Sequence, residues 1–195
     1  MSLDFVLLGT LRAPTSGYGV KARFDEVFHH FWPAEQSQIY RTLRRLERSG
    51  LLSSRAEASD KGPEQRVYRT TAKGRAALRR WLQEGPRVRD DRHAFCAQVF
   101  FLDELDDIEG SLAFFRSLRG QYAERLTELE TTEREWRKAD PSYPDVASPE
   151  DLTQQFALAL GLEKYAAIVR WTDACIQRLE ARRSGTAASR KEHSA

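Results

Sequence analysis

One stretch, residues 34–49, restricts the fold more than any other part of the chain. Aliphatic residues recur there at Ile39, Leu43 and Leu46, the i, i+4, i+7 spacing of an α-helix. Arg41, Arg44, Arg45 and Arg48 follow at i, i+3, i+4, i+7. At about 100° per residue the aliphatic side chains gather on one face and the guanidinium groups on the opposite one, with Ser37 beside them. The first face has to be buried against a domain, and the second has to stay outside it. Gly50 stands where a C-terminal cap belongs and ends the helix.

The flanking segments supply the body against which this helix packs. Residues 3–12 (LDFVLLGTLR) read as a short helix, apolar on most sides, and 13–17 (APTSG) as a loop. Residues 18–31 place Val20, Phe24, Val27, Phe28 and Phe31 at helical spacing. Trp32-Pro33 stops that helix, because the residue before a proline avoids helical backbone angles. Beyond Gly50, residues 51–56 and 66–70 read as two strands around a polar turn at 58–65 that contains Gly62-Pro63. Thr71 suits the N-cap of a helix over 72–83. The order is helix, helix, helix, hairpin, helix, which is the order of a winged helix-turn-helix.

A break at 84–91 (EGPRVRDD) changes the character of the chain, and strand signals vanish after it. Residues 93–105 read as a buried helix. Ile108, Leu112, Phe115, Arg119, Tyr122, Leu126, Leu129, Glu133 and Trp136 make a seven-residue repeat with two charged interruptions. Residues 139–148 form a Pro-rich connector. Ser148 then caps a helix that has Pro149 at its first position and is expected to run to about Arg183. Leu152, Phe156, Leu160, Ala167, Trp171 and Leu179 lie broadly along one side of it. The fold class expected is mainly α: three helices, a two-stranded wing and a fourth helix, followed by a helical C-terminal dimerisation domain. The boundaries expected are 1–85 for the winged helix, 86–183 for the helical domain and 184–195 for a small, polar, disordered tail.

Charge divides along the same line. The net charge of +2 conceals 15 Lys and Arg against 9 Asp and Glu in residues 1–85, and 16 against 20 in the rest. A basic first half points to a polyanionic partner. Cys96 and Cys175 are far apart, with no CxxC spacing, so neither a disulfide framework nor a zinc knuckle is expected. The apolar run at 3–11 contains Asp4 and has no basic flank, which excludes a signal peptide. No stretch approaches the 18 or so apolar residues of a membrane span. These features predict a reduced, cytoplasmic protein with no membrane partner. His29 and His30 end a helix, His193 lies in the tail, and His93 with Cys96 is a fragment of a metal site without a second pair. No phosphate loop, dinucleotide fingerprint or nucleophile elbow is present, so neither catalysis nor a cofactor is expected.

A helix that packs on one side and carries guanidinium groups on the other can enter a major groove, where arginine reads guanine edges or clamps phosphates. Ser37, Gln38, Arg41 and Arg44, in the N-terminal two-thirds, are the candidates for base contacts. Gln36, Tyr40, Arg45 and Arg48 are candidates for phosphates. In the hairpin, Lys61, Arg66 and Arg69 offer a basic wing, weakened by Asp60 and Glu64. The competing reading of the helix is a solvated arginine face in a salt-bridged helix, helped by Glu47. The competing function is a winged helix used as a protein–protein adaptor without DNA binding, which has no need of four outward arginines.

Several of these pieces together resemble the PadR-like regulators, named for the phenolic acid decarboxylase repressor. They are Gly17-Tyr18-Gly19, Ile39-Tyr40-Arg41-Thr42-Leu43-Arg44-Arg45-Leu46-Glu47 with Gly50-Leu51-Leu52, Gly62-Pro63, Val67-Tyr68-Arg69-Thr70-Thr71 and Gly74-Arg75. In that order they cover nearly all of residues 3–83, and Tyr18 joins the DNA-facing set. The resemblance implies a homodimer on a pseudo-palindromic operator in double-stranded DNA, commonly a repressor released by a small ligand. It also implies that the helical second half mediates dimerisation. A twofold dimer would set two reading helices about 34 Å apart. Glu64 and Gln65 depart from the resemblance, standing near positions often basic in the family.

Aromatic residues are frequent in the second half. Most such rings in helical domains are core, yet a pocket for a flat aromatic effector can be built from some of them. Phe101, Tyr122, Tyr165 and Trp171 are the candidates.

Overall fold

Leu7, Leu8 and Leu11 are completely buried on the first helix and the turn that follows it, and the N-terminal unit is assembled around them. A computed structural model of the chain describes residues 2–28, 31–59, 62–86, 93–145 and 148–192. The chain divides into two units, Met1–Asp90 and Asp91–Ala195.

The first unit contains α1 (Ser2–Thr10), α2 (Gly17–Arg23), α3 (Gln36–Arg48), α4 (Ala72–Gln83) and a three-stranded antiparallel sheet. Its strands β1 (Thr15–Ser16), β2 (Leu52–Ser59) and β3 (Gly62–Thr70) lie in the order β1-β3-β2. Ile39, Leu43 and Leu46 of α3 meet Val20, Phe24, Leu52 and Tyr68 and the three leucines at α1 in one core.

Local chemistry closes each element. The Ser16 hydroxyl accepts from the Gly19 N–H at 3.2 Å and caps α2. At the end of α3, Gly50 takes φ +72°, Gly50 N–H donates to the Glu47 carbonyl at 2.9 Å, and Leu51 N–H donates to the Leu46 carbonyl at 2.9 Å. That pair of bonds is a Schellman cap, and the left-handed backbone it needs favours glycine. Thr71 caps α4 by accepting from Gly74 N–H at 3.0 Å. The buried Thr70 hydroxyl donates to the Leu8 carbonyl at 2.8 Å and so ties β3 to α1.

The differences from expectation have physical causes. Thr15-Ser16, read as loop, pairs with Tyr68 and Val67 as a third strand; two residues carry no alternating pattern that could announce it. The helix expected over 18–31 ends early, and Phe24–Phe28 form a π-helical turn. His29 and His30, expected at its end, lie outside the described residues. Both strands of the wing are longer than the sequence pattern indicated, because polar residues carry a ladder as well as apolar ones once each backbone has a partner.

The second unit contains α5 (Ala94–Phe100), a 3-10 turn (Leu102–Leu105), α6 (Ile108–Ala139) and α7 (Pro149–Glu192). Helices α6 and α7 pack antiparallel, with Leu129, Leu158 and Tyr165 buried among Tyr122, Leu126, Trp136 and Leu162. Ion pairs lace them: Arg116–Glu180 at 2.7 Å, Arg183–Glu109 at 3.0 Å, and Arg119–Asp173. The repeat seen along α6 is the seam, and each of its nine positions is buried or half-buried. The segment expected to be a buried helix is not one. No residue of α5 is buried, and Phe100 and Phe101 are 79% and 62% exposed. Apolar composition alone suggested burial there, but within one chain only part of the segment finds a neighbour.

Helix α7 does not stop at Arg183. It continues to Glu192 through residues read as a polar tail, a run that includes the helix-forming Ala187, Ala188, Arg190 and Lys191. The last three residues of that tail, 193–195, lie outside the described residues. No helix among the described residues is long and apolar enough to cross a membrane.

Candidate nucleic-acid interface

Helix α3 is held on one side by Ile39, Leu43 and Leu46, all at most 1% exposed, and its opposite side is open. Gln36, Ser37, Gln38, Arg41, Arg44 and Arg48 are exposed, and Tyr40 is half-buried. Arg41 and Arg44 have no ion-pair partner among the described residues. Among the described residues, the Arg48 Nε donates only to the Arg44 carbonyl, at 3.4 Å. The Gln38 side chain accepts from the Glu35 N–H at 3.4 Å, a loose capping bond at the start of the helix.

Arg45 differs from what the sequence suggested. Its guanidinium grips both oxygens of Asp4 on α1, Nη1 to Oδ2 at 2.9 Å and Nη2 to Oδ1. Asp4 is largely covered, so the pair fastens α3 to α1, and the hydrogen bond from Arg45 to Asp4 raises the arginine pKa further. A group engaged on both prongs is not free to clamp a phosphate. The turn of a helix that projects four arginines does not reveal which one meets a carboxylate 41 residues away.

The wing also divides. Arg66 turns toward α3, where Nη2 donates to Glu47 at 2.7 Å and Nε donates to the Ser54 hydroxyl at 2.6 Å. The Ser54 hydroxyl also donates to Glu47, and that bond is the chief cause of the lowered Glu47 pKa. Arg69 lies three residues along β3, on the other face of the sheet, and is exposed. Lys61 lies outside the described residues. Sequence reasoning passed over Arg55, which shares the Arg69 face by strand register and is 74% exposed while paired with Glu57. The signal available was the period of two along β2.

Tyr18 is 80% exposed at the start of α2. Tyr40 has a packing duty. Its ring lies so close to Gly17 that a Cβ there would sit 2.7 Å from it, so the glycine is what lets α2 approach α3.

Of the four residues expected around an effector, three come together. Tyr122 and Tyr165 have ring centroids 5.7 Å apart. Phe95 lies 5.8 Å from Tyr122 and 6.2 Å from Trp171, which in turn meets Phe115 at 5.7 Å. The Arg125 guanidinium stands 5.5 Å over the Tyr122 ring. Burial raises the pKa of both tyrosines. Phe101 stands apart, with its ring against Phe100 at 5.1 Å.

The N-terminal unit is a winged helix-turn-helix that presents its third helix, and the chain continues into a helical unit: the architecture of a winged-helix transcriptional regulator. Residues 7–80 match the transcriptional regulator PadR-like family and residues 92–180 match the virulence activator alpha C-term family. Residues 7–80 are thus a domain of the transcriptional regulator PadR-like family, followed by a helical extension of the virulence activator C-terminal type. It is 28% identical over 186 residues to a probable transcriptional regulator of Mycobacterium tuberculosis, covering 91% of this chain and 97% of that one. It is also 28% identical over 181 residues to the negative transcriptional regulator PadR of Bacillus subtilis, again covering 91% and 97%. The fold matches the crystal structure of Bacillus subtilis PadR in complex with operator DNA, with a TM-score of 0.78, 23% identity, and 92% and 99% of the two chains covered. The same protein solved with p-coumaric acid gives a TM-score of 0.73 at 24% identity, over 92% and 99%.

Proposed function

We propose that this chain is a sequence-specific DNA-binding repressor that acts as a homodimer on a pseudo-palindromic operator and is released by a small aromatic ligand. The observation that carries the reading is the outward position of Arg41 and Arg44, without ion-pair partners among the described residues, on a helix whose other face is locked in the core. Ser37, Gln38, Arg41 and Arg44 then read base edges, and Gln36, Tyr40 and Arg48 hold phosphates. Arg69 and Tyr18 add contacts outside the helix, while Arg45 and Arg66 orient the elements that carry the readers. The Bacillus subtilis relative is a negative regulator and has been solved with operator DNA, which supports the repressor reading.

Dimerisation is supported by the outer face of α7. Leu152, Phe156 and Leu160 are 39%, 63% and 69% exposed at successive turns, a stripe that one chain leaves uncovered. The cluster of Tyr122, Tyr165 and Trp171 offers flat apolar surfaces, and Arg125 beside it suits the carboxylate of an aromatic acid.

The test is a mobility shift with DNA selected from a random pool. A half-site repeated about one helical turn away, with affinity falling by about 10³ or more between 50 and 200 mM salt, is the expected result. Salt-independent association, or no enriched sequence, overturns the reading.

A further inference from the structure

The connector between α6 and α7 borders a cavity of about 300 Å³. Trp136 and Tyr143 form an aromatic corner in its wall, with centroids 6.3 Å apart and rings inclined at 67°. Asp140 and Asp151 line it from the two helix ends, and Gln155 lines it from the second turn of α7.

Gln155 is the unexplained member. It is only 9% exposed, and its amide has no hydrogen-bond partner among the described residues. Burying an amide without a partner is unfavourable, so the position is wasteful unless something in the cavity completes it. The carboxylates are each half-used. Asp140 Oδ1 accepts from the Ser142 N–H at 2.9 Å and the Ser142 hydroxyl at 2.6 Å, and Asp151 Oδ2 accepts from the Ser148 hydroxyl at 2.6 Å. Asp140 Oδ2 and Asp151 Oδ1 have no hydrogen-bond partner among the described residues.

The electrostatics favour one sign of ligand. The Ser142 bonds hold the Asp140 carboxyl below the usual carboxylate range, so it is charged at neutral pH. No cation lines the cavity among the described residues. Of the two basic residues in the last turn of α6, Arg137 and Lys138, Arg137 lies 4.9 Å over the Tyr143 ring and is paired with Glu133 at 2.9 Å. The C-terminal end of α6 favours a cation and the N-terminal end of α7 disfavours one; these offset, leaving the carboxylates to decide.

We propose that this cavity binds a small organic cation, an ammonium group on a flat apolar body. The ammonium donates to the free oxygens of Asp140 and Asp151 and to the Gln155 carbonyl oxygen, and the body lies against Trp136 and Tyr143. The site is separate from the Tyr122, Tyr165 and Trp171 cluster and opposite to it in charge preference.

The experiment is calorimetric titration of the full-length protein with phenethylammonium, its neutral isostere 2-phenylethanol and its charge-reversed isostere phenylacetate. Saturable binding of the ammonium is expected, at least about tenfold tighter than either isostere. Asp140→Asn should weaken it about tenfold, although that residue also terminates α6. Gln155→Leu is the cleaner variant: affinity falls by a similar factor while the melting temperature holds or rises. The proposal is overturned if the ammonium does not saturate or if phenylacetate binds as tightly. It is equally overturned if Gln155→Leu leaves affinity unchanged or lowers the melting temperature, since a lower melting temperature marks that amide as structural.

Discussion

Glu47 on α3 and Arg66 on β3 meet at 2.7 Å, 19 residues apart in sequence, and Ser54 on β2 bonds to both. The wing is therefore fastened to α3 by a small polar network rather than by core packing alone. An arginine that the sequence assigned to DNA is used instead to join β3 to α3.

That junction should respond to acid. The Ser54 bond, with Arg66 adding to it, holds the Glu47 carboxyl below its ordinary range in the folded state. A carboxyl lowered on folding contributes stability above its unfolded pKa and loses it as pH falls through the folded value. Stability should therefore decline below about pH 4, and Glu47→Gln should flatten that part of the profile. Denaturant unfolding from about pH 7 to about pH 3 checks this. Parallel profiles for the two proteins would show that the network is not the acid-sensitive element.

Arg41 and Arg45 should behave as different kinds of arginine. Arg41→Ala or Arg44→Ala is expected to weaken operator binding by about 1–3 kcal/mol and leave unfolding unchanged. Arg45→Ala removes the clamp on Asp4 and should lower stability, with an effect on DNA that follows from α3 alone. Measuring both quantities on the three variants separates the roles. Arg45→Ala with wild-type stability and the largest loss of DNA affinity would reverse the assignment.

Gly74 is required by a close approach. A Cβ on it would stand 2.2 Å from the Leu51 carbonyl oxygen, which is backbone and cannot swing away. Gly74→Ala should cost about 1–3 kcal/mol even after the better helix propensity of alanine is counted. Gly120 in the middle of α6 has nothing within 4 Å of a Cβ, so Gly120→Ala should instead stabilise by about 0.5–1 kcal/mol. Denaturant midpoints of the two variants, moving in opposite directions, are the expected outcome.

These contrasts show what a sequence displays and what it withholds. The extent of α4, the cap at Thr71 and the stop at Gly50 follow from side chains a few residues apart, because helix capping is local. The buried and open faces of α3 follow from its period. The partners of Arg45 and Arg66 lie 41 and 19 residues away, and no local pattern announces such a pairing. The same holds for β1, whose two residues become a strand only because β3 is there to pair with them. The exposure of Phe100 fails to show for a related reason: apolar composition reports a tendency to be buried, not the presence of a surface to be buried against.

The outer stripe of α7 turns that last point into a prediction. Phe156 and Leu160 sit on the side of the helix away from Leu158 and Tyr165, which fill the seam with α6. Their substitution removes little from the packing of one chain. If a second copy covers them, Phe156→Asp with Leu160→Asp introduces two charges into an apolar interface. Sedimentation should then show the dimer giving way to monomer while helical content by circular dichroism is retained. Operator affinity should fall steeply in the same variant, since each monomer engages one half-site and the gain from linking the two sites is lost. A variant that sediments as the wild type does would place the interface elsewhere on the chain, and the stripe would then need a different partner.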